Sequence, residues 1–255
     1  MTEDGQRVVS VAIMEPVSEF LAQPVMAHHR ESLRGPNATD TSPIFLTEFA
    51  SGENLRPTMT GGPIVLRYAS ERCGFDLPAG RQFMAAMAGP VIDDASMILP
   101  METMSWDEMQ VMMHRIVAIF DGAGWTRRGW KVPGSITPED FSQATGPKKA
   151  LLGQWQECDG GPVRVNVTVR HYNSMSPGSF MPPAALTTPI GDDAEDRFLI
   201  YVSFGVASAE LRRSIGELLM ARGVDEGIDP AYETLPAQIW LDDPDWRPPG
   251  WTGGF

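Results

Sequence analysis

The stretch Val163-Arg164-Val165-Asn166-Val167-Thr168-Val169-Arg170 decides the fold. Valine takes the odd positions and a polar residue takes the even ones. Successive side chains of a strand point to opposite faces, so this period of two gives one apolar and one polar face, as in an antiparallel sheet with one wet side. Such a strand needs neighbours. Downstream, Arg197 to Val206 is more apolar throughout and reads as a more central strand. The connection from Asn173 to Asp196 is long for a hairpin. It carries Pro177, Pro182, Pro183 and Pro189 and ends in the acids Asp192, Asp193, Glu195 and Asp196.

Working outward, Arg7 to Met14, Ile44 to Phe49 and Ile64 to Tyr68 also read as strands. Pro16 to Leu21 and Arg81 to Ala88 read as short helices, and Lys148 to Gln156 as a further one that stops before Asp159-Gly160-Gly161. Thr137-Pro138-Glu139-Asp140 has a cap, a proline at the first helical position and acids in the first turn. Gly146-Pro147 would end that helix.

The strongest helix signal is Trp106 to Phe120. Ser105 is its N-cap and Glu108 completes a capping box. Met109, Met112, Met113, Ile116, Val117 and Phe120 recur on one apolar face, and Gly122 or Gly124 can end it. Methionines suit adaptable binding surfaces, but here they share a stripe with Ile116 and Phe120 and read as core. A second Ser-capped helix is expected from Ala209 to Arg222, between Ser208 and Gly223, with Leu211, Ile215, Leu218 and Leu219 facing in.

The expected class is α+β: antiparallel sheet with amphipathic helices packed on one face. Residues 1–255 are expected to form one compact unit. The alternative is two loosely similar halves, 1–134 and 135–255, suggested by the two Ser-capped helices.

The chain has 33 acidic and 20 basic residues, a formal net charge of -13 and a sequence pI near 4.7. That disfavours duplex nucleic acid, which demands clustered Lys and Arg, and favours a basic partner through steering. Solubility is the blander reading of the same charge. No basic leader and no apolar run of membrane-spanning length is read, so no membrane is expected as a partner and a cytoplasmic location is the default. Cys73 and Cys158 show no metal spacing and read as free buried thiols, one long-range bridge being the alternative.

Catalytic motifs are weak. Gly122-Ala123-Gly124-Trp125-Thr126-Arg127-Arg128-Gly129 follows a helix where a dinucleotide loop must follow a strand. Gly-x-Ser-x-Gly is absent. His28 and His29 are adjacent and diverge, His114 sits inside the best helix, and His171 ends a strand as a candidate surface residue. Asp93-Asp94, Asp192-Asp193 and Asp242-Asp243 read as solvated loop acids, although two facing carboxylates would suit a glycosidase-type cleft. Trp125, Arg127, Arg128, Trp130 and Lys131 interleave aromatics and cations, a pattern that can stack bases. The favoured reading is a loop with its tryptophans inward and its cations wet. Neither a cofactor nor a metal is expected.

After a short strand at Ala237 to Leu241, the C-terminal stretch carries Asp242, Asp243, Asp245, Trp246, Pro248, Pro249 and Trp251. Its prolines favour an extended path. Trp246, Trp251 and Phe255 are expected to dock on the body of the chain or hold a partner, a second copy included.

These features lead to an expected non-catalytic acidic binding or inhibitory protein, of the immunity type that neutralises a basic toxin. Its expected partner-facing residues are Asp192, Asp193, Glu195, Asp196, Asp242, Asp243, Asp245, Trp246 and Trp251. The alternatives are a hydrolase using acids in an unrecognised cleft, and an assembly subunit docking through its Trp/Pro-rich end.

Overall fold

The alternating stretch forms a strand, Val163–His171, with its valines buried and its polar residues half-buried on the other face. In this computed structural model, which describes residues 6–26, 47–50, 63–88, 91–128, 135–141, 148–174 and 195–206, it belongs to a seven-stranded sheet. In chain order the strands are β1 (Arg7–Val11), β2 (Thr47–Ala50), β3 (Ile64–Tyr68), β4 (Phe75–Asp76), β5 (Gln82–Ala88), β6 (Val91–Met104), β7 (Thr126–Arg127), β8 (Lys149–Gln156), β9 (Val163–His171) and β10 (Phe198–Val206). The helices are α1 (Val17–Ala22) and α2 (Trp106–Gly122).

The large sheet runs β2-β5-β6-β10-β9-β8-β7, with antiparallel pairing throughout. β10 takes the middle place, as its apolar sequence predicts. A smaller sheet runs β1-β3-β4, and β1 lies parallel to β3. Mainly antiparallel strands with a few helices are compatible with the expected α+β class. The large sheet joins strands from both sides of residue 134. Among the described residues, no helix is long and apolar enough to cross a membrane.

Two expected helices are strands. Arg81 to Ala88 contains β5, paired with β6 and β2, and Lys148 to Gln156 contains β8, paired with β9 and β7. Both stretches are rich in Ala, Leu, Met or Gln, good helix formers. Their neighbours supply ladder hydrogen bonds along most of their length and override that local preference. Asp93 and Asp94 are not in a loop but in β6, where Asp94 is half-buried. The Thr137 start yields one 3₁₀ turn, Pro138–Phe141, not a longer helix. The expected helix Ala209 to Arg222 and strand Ala237 to Leu241 lie outside the described residues.

α2 forms as its sequence predicts. Ser105 Oγ accepts from Glu108 N, and Glu108 Oε2 accepts from Ser105 N at 2.8 Å. Gly124 takes the left-handed conformation just past its end, at φ +78°. Met109, Met113, Ile116 and Phe120 are buried, while His114 is exposed. Phe120 stacks on Trp155 of β8 at 5.0 Å and meets Phe75 of β4 at 4.9 Å, and Tyr68 of β3 stacks on Phe204 of β10 at 5.7 Å. Both sheets and α2 therefore share one core.

Cys73 and Cys158 form a disulfide across 85 residues, with Cα atoms 6.1 Å apart, which corrects the reading as free thiols. The turn before β4 and the turn after β8 lie side by side, a proximity that tertiary packing creates. Arg72 and Asp159 pair at 2.9 Å across the same two turns.

Candidate functional site

The ends of β9 and β10, the start of α2 and the Pro138–Phe141 turn meet at one corner of the large sheet. Four aromatic rings hold them together. Trp106 lies 5.0 Å from Phe198 and 5.9 Å from Phe141, and Phe141 lies 5.3 Å from Phe198. His171 lies 5.4 Å from Phe198. Each ring comes from a different local rule. Trp106 opens the capped helix, Phe141 closes the 3₁₀ turn, Phe198 opens β10 and His171 ends β9.

Carboxylates neighbour the rings of this cluster in sequence. Asp107 and Glu108 lie in the first turn of α2, Glu139 and Asp140 in the 3₁₀ turn, and Glu195 and Asp196 just before β10. All are exposed. Glu108 is held below the usual carboxylate range by its hydrogen bonds from the backbone and side chain of Ser105. Glu139 is held low first by the Thr137 hydroxyl. Asp140 Oδ2 accepts from Thr137 N at 2.8 Å.

The Glu195-Asp196 segment is fixed rather than loose. Asn173 Oδ1 accepts from Arg197 N at 2.9 Å, while its Nδ2 donates to the Glu195 carbonyl at 3.1 Å. Arg197 donates to the Thr103 carbonyl at 3.0 Å and lies 3.9 Å from Glu195. His171 Nε2 sits 2.7 Å from Asp196 Oδ1. Only 10% of the His171 side chain is exposed, which corrects its reading as a candidate surface residue. Its inward position follows from the pleat, since it continues the buried valine row of β9. With its outward nitrogen taken by Asp196 and its ring between Phe141 and Phe198, His171 serves as a pin.

Of the residues expected to face a partner, Glu195 and Asp196 stand at this corner. Asp192, Asp193, Asp242, Asp243, Asp245, Trp246 and Trp251 lie outside the described residues. Asp107, Glu108, Glu139 and Asp140 read in sequence only as helix-start acids, and their convergence with Glu195 and Asp196 has no local signal. The other candidate, the basic loop, places Trp125 inward at 4% exposure, Arg128 in solvent and Arg127 over the Trp155 ring at 5.2 Å. Trp130 and Lys131 lie outside the described residues. Among the described residues no group of His, Cys, Asp and Glu is arranged to hold a metal. No known protein family, curated protein or solved structure matches this chain.

Proposed function

We propose that this chain is a non-catalytic acidic binding protein that engages a basic protein, in the manner of an immunity-type inhibitor, through the corner formed by α2, the Pro138–Phe141 turn and the start of β10. The observation that carries this reading is the convergence of Asp107-Glu108, Glu139-Asp140 and Glu195-Asp196 on one aromatic cluster. The six carboxylates outnumber Arg197, the cation beside Glu195, and a net negative, fixed surface raises the encounter rate with an opposite charge. The Asn173 clamp supports the reading further, because a pre-ordered surface loses little freedom on binding. The hydrolase alternative draws on the His171–Asp196 pair, but the enclosure of that ring favours a structural role. The assembly alternative rests on Asp245 to Phe255, which lie outside the described residues.

The compartment enters the same proposal. The Cys73–Cys158 bridge favours an oxidising environment over the expected cytoplasmic one, since cytosolic thiols are kept reduced.

Affinity capture of basic proteins, followed by stopped-flow association at rising salt, tests the function. The expected result is an on-rate that falls at least tenfold from low to physiological salt, and again in a variant carrying Asp107→Lys, Glu139→Lys and Glu195→Lys. An on-rate indifferent to salt and to those substitutions overturns it.

A further inference from the structure

The Cys73–Cys158 bridge joins the turn between β3 and β4 to the turn between β8 and β9. Its two halves are not alike. Cys73 is only 2% exposed. Cys158 is half-buried, and Asp159 and Gly160 beside it are exposed. A thiolate arriving from solution therefore approaches on the Cys158 side, and access helps decide which sulfur of a disulfide is attacked.

The sulfurs also differ in their hydrogen bonds. Ser70 Oγ accepts from Cys73 N at 3.3 Å and lies 3.5 Å from Cys73 Sγ. A bridged sulfur has no proton, so in that contact the hydroxyl donates. Among the described residues nothing donates to Cys158 Sγ. A donor stabilises the thiolate it faces, which makes Cys73 the better leaving group. Both turns are held without the bridge. Gly74 N donates to the Ser70 carbonyl at 3.1 Å, and Trp125 Nε1 fixes the Cys73 carbonyl to the core. Across the β8–β9 turn, Glu157 N donates to the Val163 carbonyl at 2.9 Å and Gln156 Nε2 to the same carbonyl at 3.1 Å. Tyr68 Oη donates to Glu157 Oε1 at 2.9 Å and ties the end of β3 to this turn.

We propose that Cys73–Cys158 is a reversible redox switch that opens by thiol exchange at Cys158 while the chain stays folded. The reductant is a small thiol. Its thiolate attacks Cys158 Sγ, the S–S bond breaks, and the electron pair leaves on Cys73 Sγ, which Ser70 stabilises until it takes up a proton. A second thiol molecule then attacks the sulfur of the first. That step frees Cys158 as a thiol and leaves the reductant as its own disulfide. Two electrons thus pass from two thiols to the bridge. The hydrogen bonds that remain keep the two cysteines facing each other, so reclosure by an oxidised thiol works at high effective concentration. The closed form suits an oxidising compartment and the open form a reducing one.

The test is partial reduction of the full native chain with glutathione at several concentrations, trapping with N-ethylmaleimide, and mass mapping of both cysteines. Glutathione on Cys158 with maleimide on Cys73 is expected to exceed the reverse pattern by about tenfold. The opening rate is expected to rise in proportion to glutathione. The chain fully reduced by dithiothreitol is expected to keep the near-ultraviolet circular dichroism of a packed core. Ser70→Ala is expected to slow opening about fivefold, and Ser70→Thr, which keeps a hydroxyl, to stay within about twofold of the unaltered rate. Oxidised glutathione is expected to return the reduced chain to its original melting temperature. A bridge that resists glutathione until denaturant is added, a rate that levels off as glutathione rises, or glutathione mainly on Cys73 each overturns the proposal. So does a reduced chain without near-ultraviolet signal, or a Ser70→Ala rate equal to that of the unaltered chain. None of these outcomes touches the acidic corner, so the two proposals fail separately.

Discussion

The indole nitrogen of Trp125 donates to the backbone carbonyl of Cys73 at 2.9 Å, so the turn that carries one half of the disulfide is also held by a buried side chain. The bridge closes 85 residues of chain, and loop-closure entropy puts its contribution at about 4.5 kcal/mol. The Cys73→Ser/Cys158→Ser double variant is expected to lose that amount in denaturant unfolding while keeping the emission of a buried tryptophan. A loss below about 1 kcal/mol would show that the bridge contributes little.

Glu15 predicts a pH dependence. Met14 sits in a tight turn at φ 77°, and there the Glu15 carboxylate accepts from Ala12 N at 2.7 Å. Burial pushes the Glu15 pKa up from 4.5 to about 7; the Ala12 hydrogen bond opposes the rise and nearby Glu19 adds to it. The folded state therefore holds a proton that the unfolded state releases. The stability contribution is complete below pH 4.5 and is lost as pH rises through about 7. Glu15→Gln keeps an oxygen for Ala12 N and cannot ionise. Its melting temperature is expected to exceed that of the unaltered chain at pH 8, and its slope between pH 4.5 and 7 to be flatter. Parallel melting curves for the two proteins would contradict this.

Gly80 marks the junction of the two sheets, where it exchanges hydrogen bonds of 3.0 and 2.7 Å with Ile64. A Cβ there would meet the Ile98 carbonyl oxygen, Leu99 Cδ2 at 2.7 Å and Met97 Cε at 2.8 Å. Because the Ile98 carbonyl is backbone within β6, it cannot swing away. Gly80→Ala is expected to cost about 3 kcal/mol, measurable by chemical denaturation. A neutral result would mean that the junction is looser than its hydrogen bonds imply.

The faces of α2 should respond unequally. Phe120 is fully buried against Phe75, Trp125, Trp155 and Phe204, while Val111 is 70% exposed. Phe120→Ala is expected to cost about 3–5 kcal/mol and Val111→Ala to stay within about 0.5 kcal/mol. Comparable losses would show that Val111 is covered by a contact of its own.

Much of this architecture was readable locally. β9 announced itself through its valines, β10 through its continuous apolar run, and α2 through the Ser105–Glu108 box. Each of these rests on neighbours in the chain. The misread elements fail for the opposite reason. Gln82 to Ala88 and Lys149 to Gln156 are strands because β6 and β9 pair with them, a partnership that no local window contains. β6 itself was hidden by Asp93 and Asp94, read as solvated loop acids. The candidate corner was legible only at Glu195 and Asp196. Its other acids come from helix starts whose meeting depends on Trp106, Phe141 and Phe198 packing together.

The middle place of β10 has a consequence for biosynthesis. Chains emerge from the ribosome N-terminus first, and β10 is the last of the described strands of the large sheet to appear. In the finished sheet β6 and β9 each pair with β10 along the edge that faces it, so that edge has its native partner only once residues 198–206 are out. The two flanks of the large sheet therefore cannot join before residues 198–206 are synthesised, whatever either flank has formed by then.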